Sequence, residues 1–220
     1  ILFQDDLVLK HTEGYGDSAG KLYFKEMGKR MDPDKMYIRI EGEKYVRYTP
    51  EFWEWSSWKN RRLLFVAKSL METARKENPG IRFALNLMYE SVVNPSQALA
   101  WLSQDLRGAV KVGFDYYSIM AYHRQMATEL NKGHKEVLAL IEEMAEEAQR
   151  RVGLSASVLM KIQTVDWETG EELSGREVAY LINTLKRRGV SIAVFPYRRL
   201  LPFDELALVN ESMKETSGGR

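Results

Sequence analysis

Residues 82–121 read RFALNLMYESVVNPSQALAWLSQDLRGAVKVGFDYYSIMA, and this stretch decides the fold. Its ends are short apolar runs, Arg82–Met88 and Phe114–Ala121, which read as strands. Between them Asn94-Pro95-Ser96 opens a helix expected to run to about Arg107. Two strands separated by a helix of that length pair in parallel through a right-handed crossover.

The same alternation extends both ways. Upstream, Ile1–Gln4 reads as a short strand followed by Asp5-Asp6. From about Lys10 to Pro50 the chain is less regular and rich in Gly, Lys and Tyr, with a small hairpin expected from Met36–Ile40 and Lys44–Tyr48 around Glu41-Gly42-Glu43. Thr49-Pro50-Glu51 is a helix start, with Thr as N-cap and Pro in the first turn, and the helix should run to Lys76 before Asn78-Pro79-Gly80 stops it. Downstream, Lys135–Val152 is an amphipathic helix with Leu138, Ile141, Met144 and Ala145 on its apolar side, and Ser157–Gln163 is a strand. Ser174-Gly175-Arg176-Glu177 fits a capping box for a helix ending at Gly189, and Val190–Phe195 is the last strand. The Lys186-Arg187-Arg188 run reads as cations at that helix's C-terminal end.

Five core strands result. The expected fold is an α/β, TIM-type (β/α)8 barrel of which this chain holds about the last five units, spanning residues 1–205, with 206–220 a polar tail. A doubly wound open sheet is the rival, but no Gly-rich phosphate loop follows any strand. Ile1-Leu2-Phe3 reads as a buried strand with nothing in front of it, so material is expected upstream. An incomplete barrel would leave two open parallel edges, prone to association.

Composition excludes several functions. The 32 Lys plus Arg nearly cancel the 31 Asp plus Glu, and a net charge of +1 gives no basis for nucleic acid or an anionic membrane as partner. The absence of cysteine removes disulfides, thiolate metal sites and a cysteine nucleophile. No apolar run approaches the roughly 20 residues of a transmembrane helix. His11, His123 and His134 have no metal-ligand spacing, so no metal or other cofactor is expected, and no Gly-x-Ser-x-Gly elbow occurs. Trp55 and Trp58 share a helix face and should serve packing.

Barrel enzymes place their chemistry at the C-terminal ends of the strands. Here those ends carry in turn Gln4, Asp5 and Asp6; Asn86, Tyr89 and Glu90; Met120, Tyr122 and His123; Gln163, Asp166 and Trp167; and Pro196, Tyr197 and Arg198. One polar strand end means only solvent, but five together suit a sugar, whose faces stack on rings and whose hydroxyl and acetamido groups bind amides and carboxylates. Glycosidic cleavage needs a carboxylic acid to protonate the leaving oxygen. Side chains alternate along a strand, so Asp6 shares the face of Gln4 and takes the role of general acid, while Asp5 orients the substrate or a neighbouring group. The remaining candidates, Asn86, Tyr89, Glu90, Tyr122, His123, Gln163, Asp166, Trp167 and Tyr197, are assigned to binding.

Ile1-Leu2-Phe3-Gln4-Asp5-Asp6 resembles the Ile-Leu-Phe-His-Asp-Asp segment in the C-terminal hydrolase domain of PgaB-type poly-β-1,6-N-acetylglucosamine deacetylases. Asn94-Pro95-Ser96 with Ala100-Trp101 and Gln104, Phe114-Asp115-Tyr116 with Met120-Ala121, and Gln163 with Asp166-Trp167 and Ser174-Gly175 resemble further motifs of that family in the same order. The likeness extends to about Tyr197. It implies a (β/α) barrel that binds partly deacetylated polymer in an electronegative groove and cleaves it internally. It also implies a bacterial envelope setting, usually the periplasm, and a separate upstream deacetylase domain, so no deacetylation is expected of this chain. Two departures stand out: Gln4 occupies the place of a His, and Tyr122-His123-Arg124-Gln125 follows where the family continues with Pro and an acidic residue. Those changes add cationic groups and should weaken binding of a cationic polymer, or signal a related exopolysaccharide. Three functions stay open: an endo-acting glycosidase, with Asp5 positioning the substrate's own acetamido group as nucleophile; a non-catalytic domain that holds polysaccharide during modification or export; and, from the altered segment at Tyr122–Gln125, a barrel hydrolase of an unrelated glycan.

Overall fold

The computed structural model describes residues 1–4, 7–42, 46–153 and 157–196. Asp5, Asp6, Tyr197, Arg198 and the 206–220 tail therefore lie outside the described residues. In chain order come β1 (Leu2–Phe3), α1 (Asp17–Met27), β2 (Tyr37–Arg39), β3 (Val46–Tyr48), α2 (Pro50–Glu77) and β4 (Ala84–Met88). There follow α3 (Glu90–Val93), α4 (Pro95–Leu102), α5 (Leu106–Val112), β5 (Tyr116–Met120) and α6 (His123–Leu130). The last are α7 (His134–Val152), β6 (Val158–Gln163), α8 (Gly175–Arg187) and β7 (Ser191–Phe195).

One five-stranded sheet has the order β1-β4-β5-β6-β7, and every pairing in it is parallel. Spatial order follows chain order without reversal. A doubly wound sheet reverses at a switch point, so the order argues for a wall of the barrel type. The hairpin of β2 and β3 is separate and antiparallel, with Tyr37 opposite Tyr48.

The two faces of the sheet differ. Leu85, Leu87, Tyr117, Ile119, Val158, Met160 and Ile162 join the main core with Ala67 and Met71 of α2, Ile141 and Met144 of α7, and Leu181 and Leu185 of α8. The alternate positions Asn86, Ser118, Lys161 and Gln163 point to the opposite face and are also buried. A parallel sheet covered on both faces normally reads as a continuous apolar run. Here the polar residues lie on one face only, the one turned away from the apolar core with α2, α7 and α8.

The long helix α2 serves two cores. Thr49 Oγ1 accepts from Phe52 N at 3.2 Å, capping it as expected. Its first turns bury Phe52, Trp55 and Trp58 against Tyr23 and Met36 in a second cluster, and its later turns meet the sheet. Trp55 and Trp58 stack at 4.8 Å, so both serve packing. Lys59, beside them, donates to the carbonyls of Lys10 at 2.8 Å and Glu13 at 3.3 Å, pinning the segment that follows β1. Burial holds its pKa down to about 8. Gly14 permits this approach: its φ is +93°, and a Cβ would sit 3.1 Å from the Lys59 chain.

Three sequence expectations are corrected. The 10–50 region contains α1, whose ends are Gly16 and a left-handed Gly28 and whose middle holds Gly20, so its helical signal is weak. The helix expected from Asn94 to Arg107 breaks at Ser103, which is left-handed with φ 53°; Asp105 then caps α5 through Arg107 N and Gly108 N. The break lets Gln104 turn inward, where its Oε1 accepts from Met88 N at 3.0 Å at the end of β4. Residues 123–130, expected only as a strand exit, form α6.

Candidate active site

The exit of β5 shapes the site. α6 has no side-chain cap of its own, so its first N–H groups need acceptors from elsewhere. Gln163, the last residue of β6 and fully buried, supplies one. Its Oε1 accepts from Arg124 N at 3.0 Å and Gln125 N at 3.3 Å, and its Nε2 donates to Val165 O at 2.7 Å. A strand-end amide thus fixes where the neighbouring helix begins.

That placement aims Arg124 at two carboxylates. Its Nε and Nη2 reach Glu177 at 3.0 and 2.8 Å, a two-pronged contact, and its Nη1 reaches Asp166 at 3.2 Å. Glu177 also accepts from His123, with Nε2 to Oε1 at 2.6 Å. Arg124 chiefly, then His123, hold the Glu177 carboxyl down at about 2. Asp166 is likewise held below the ordinary carboxylate range, first by the backbone N–H of Glu168 and then by Arg124. Burial lowers the His123 pKa against the pull of Glu177, so the imidazole is neutral at neutral pH. Its Nε2–H then donates to Glu177, while the buried Nδ1 has no hydrogen-bond partner among the described residues.

Aromatic rings stand beside this charge cluster. Trp167 lies edge-on to Tyr122 at 5.5 Å and tilted against Phe195 at 6.1 Å; Lys161 Nζ sits 4.4 Å over the Phe195 ring. Trp167 is 40% exposed and Phe195 41%. A cleft of about 430 Å³ opens here, lined by Arg124, Gln125, Thr128, Glu129, Asp166, Trp167 and Glu168. Three carboxylates and one guanidinium thus line it. Glu129 extends the network to β4: it accepts from Tyr89 Oη at 2.8 Å and from Gln125 Nε2 at 2.7 Å. Glu90, 8% exposed, follows Tyr89, and burial raises its carboxyl above the ordinary range.

Of the residues nominated from sequence, Tyr122, His123, Gln163, Asp166 and Trp167 meet around Arg124, and Tyr89 connects to them through Glu129, with Glu90 next to Tyr89 in the chain. Asn86 is buried on the polar face of β4, paired in register with Ser118. Met120 is buried opposite Lys161, and Pro196 accepts from Thr164 Oγ1 at 2.6 Å. Asp5, Asp6 and Tyr197 lie outside the described residues. Glu129, Glu177 and Phe195 were missed. Glu177 was legible only as a capping residue: its N–H does meet Ser174 Oγ at 3.3 Å, but its carboxylate turns to Arg124 and His123 instead of back to the cap. The cation that Arg124 was expected to add to the groove is matched within the protein by Asp166 and Glu177.

Among the described residues no cluster of three or more His, Cys, Asp or Glu could hold a metal ion, and no helix is long and apolar enough to cross a membrane. A family model described as GHL13, hypothetical glycosyl hydrolase family 13, matches residues 1–196. No curated protein matches the chain. Among solved structures it is similar to the PgaB (BpsB) glycoside hydrolase domain from Bordetella bronchiseptica, with a TM-score of 0.71 and 20% identity over 97% of this chain. The chain spans about half of that structure, 54% of its length. The fold is therefore that of the PgaB-type hydrolase domain, as the sequence motifs imply.

Proposed function

The chain belongs to hypothetical glycosyl hydrolase family 13, and from that premise we infer an endo-acting hydrolase of partly deacetylated poly-β-1,6-N-acetylglucosamine or a related biofilm exopolysaccharide. The observation that carries the reading is Trp167, exposed beside Glu129, Asp166 and Glu168 at the C-terminal ends of parallel strands. An indole face takes the apolar face of a hexosamine ring, and the carboxylates attract its ammonium or bind its hydroxyls. The five parallel strands run side by side in chain order, as the strands of a (β/α) barrel do, and this supports the reading.

In this mechanism Asp6 protonates the leaving glycosidic oxygen and Asp5 holds the substrate's acetamido group, whose oxygen attacks the anomeric carbon. Water then opens the cyclic intermediate with Asp6 acting as base. A carboxylic acid in that role has to stay protonated near neutrality. Asn86, Tyr89, Glu90, Tyr122, His123 and Gln163 shape the walls, Tyr197 adds a further ring, and the steps as written need no metal or cofactor. The protein works in the bacterial envelope, in the periplasm, and a separate upstream domain supplies deacetylated substrate.

A polymer panel tests the reading on the full-length polypeptide. Partly deacetylated β-1,6 polymer should release new reducing ends, and a β-1,4-linked polymer of the same sugars should not. Retained binding without new reducing ends would replace the hydrolase with a non-catalytic polysaccharide-binding domain.

A further inference from the structure

Of Asn86, Ser118, Lys161 and Gln163, buried on the polar face of the sheet, only Lys161 is ionic, and it is 6% exposed. In register it lies between Met120 of β5 and Ala193 of β7, and Met120 in turn lies beside Met88 of β4. The rest of that row is apolar. The Lys161 ammonium sits 4.4 Å over the Phe195 ring. A ring face offsets only part of what an ammonium loses on leaving water, and the remainder calls for a negative charge.

The carboxylates beyond the ends of β5 and β6 are committed to other groups. Asp166 and Glu177 hold Arg124, Glu177 also takes His123, and Glu129 takes Tyr89 and Gln125. Glu168 and Glu172 stand exposed on the loop after β6. Tyr122, stacked on Phe195 at 6.5 Å, adds a phenol beside the ring.

We propose that Lys161 is a positioning residue for hydrolysis: its ammonium reaches inward to the acidic pair Asp5-Asp6 and holds the one negative charge that the pair carries while it shares a proton. This rests on the hydrolase reading above. Count along the chain supports it. Phe3 pairs with Leu85, and Asp6 is three residues past Phe3 as Met88 is three past Leu85, which sets the pair against the row of Lys161. β1 and β6 are three spacings apart, about 14 Å along the sheet, and the inward curve of a barrel wall shortens that gap for inward-pointing side chains. The four-carbon stem of lysine gives it the reach. Two neighbouring carboxyls that share a proton titrate as a unit, and an ammonium beside them favours the charged form. One carboxylate is then free to steer the acetamido group while the other carboxyl keeps the proton for the leaving oxygen.

The test follows release of reducing ends from partly deacetylated poly-β-1,6-N-acetylglucosamine across pH, with the full-length polypeptide and its Lys161→Met, Lys161→Gln and Lys161→Arg variants. Lys161→Met should lower kcat about 10- to 100-fold while KM changes by less than about twofold. Loss of the cation disfavours the charged form of the pair, so the rate profile should also move to higher pH by about one unit. Lys161→Gln keeps a donor without the charge; it should show the same displacement and covers the case in which Lys161→Met fails to fold. Lys161→Arg should return the profile to its place and recover part of kcat. An unmoved profile in the uncharged variants overturns the role of Lys161 whether or not the rate falls, because lost folding lowers the rate at every pH alike. No reducing ends from the unmodified protein overturns that role and the hydrolase reading together.

Discussion

Trp55 and Trp58 stack at 4.8 Å beneath the start of α2 and are 0% and 5% exposed; Trp167 and Phe195, 6.1 Å apart at the strand ends, are 40% and 41% exposed. Both are pairs of aromatic rings, and their surroundings are opposite. The first pair is closed in by Tyr23, Met36 and Phe52, with one buried cation, Lys59, turned to backbone carbonyls. The second is open and stands among Glu129, Asp166, Glu168 and Arg124. Ring content does not mark the site. On the proposed reading exposure beside organised charge does, because an apolar face left in water among fixed hydrogen-bonding groups is what a sugar ring would complete.

Trp55→Ala should break the comparison most sharply. It removes a fully buried ring, and loss of about 3–5 kcal/mol of stability is expected in urea unfolding. Next, Glu177→Gln removes the negative charge and one of the two acceptor oxygens that Arg124 and His123 share, and should cost about 1.5–3 kcal/mol. Hydrogen exchange should localise the change to residues 123–130, the whole of α6. Trp167→Ala should leave the unfolding midpoint nearly unchanged while polymer affinity falls about tenfold, near 1.4 kcal/mol. A large loss of stability in that variant would erase the distinction between a packing ring and a binding ring.

The smallest effects are in pH dependence; in both regions stability rises with pH, in an acid window for one and an alkaline window for the other. Glu177 is held at about 2 against an ordinary 4.5, so its stabilisation is present above about 4.5 and is lost as pH falls towards 2. Lys59 is held at about 8 against an ordinary 10.5. Between those values the unfolded chain binds more protons, so stability should rise with pH there. Unfolding of Glu177→Gln and Lys59→Met across both windows should flatten the acid and alkaline slopes respectively.

The fold was legible where one helix or strand carried its own signal. The apolar runs at Arg82–Met88 and Val190–Phe195 and the cap at Thr49 needed no tertiary help. α1 was hidden by its glycines, and α6 by the absence of a cap residue, since Gln163 from another strand does that work. The site was legible as a set of strand ends but not as a network. Nothing local pairs Arg124 with Glu177, 53 residues away, and Gln163 reads as a ligand-binding amide although its polar atoms hold Arg124, Gln125 and Val165 backbone.

The most direct test of the hydrolase account is mass spectrometry of products from partly deacetylated poly-β-1,6-N-acetylglucosamine, with the full-length protein beside its Asp6→Asn variant. The account predicts internal-cleavage oligosaccharides from the unmodified protein only, with polymer binding kept by the variant. Equal product from both would contradict the role of Asp6, and product from neither would contradict the hydrolase.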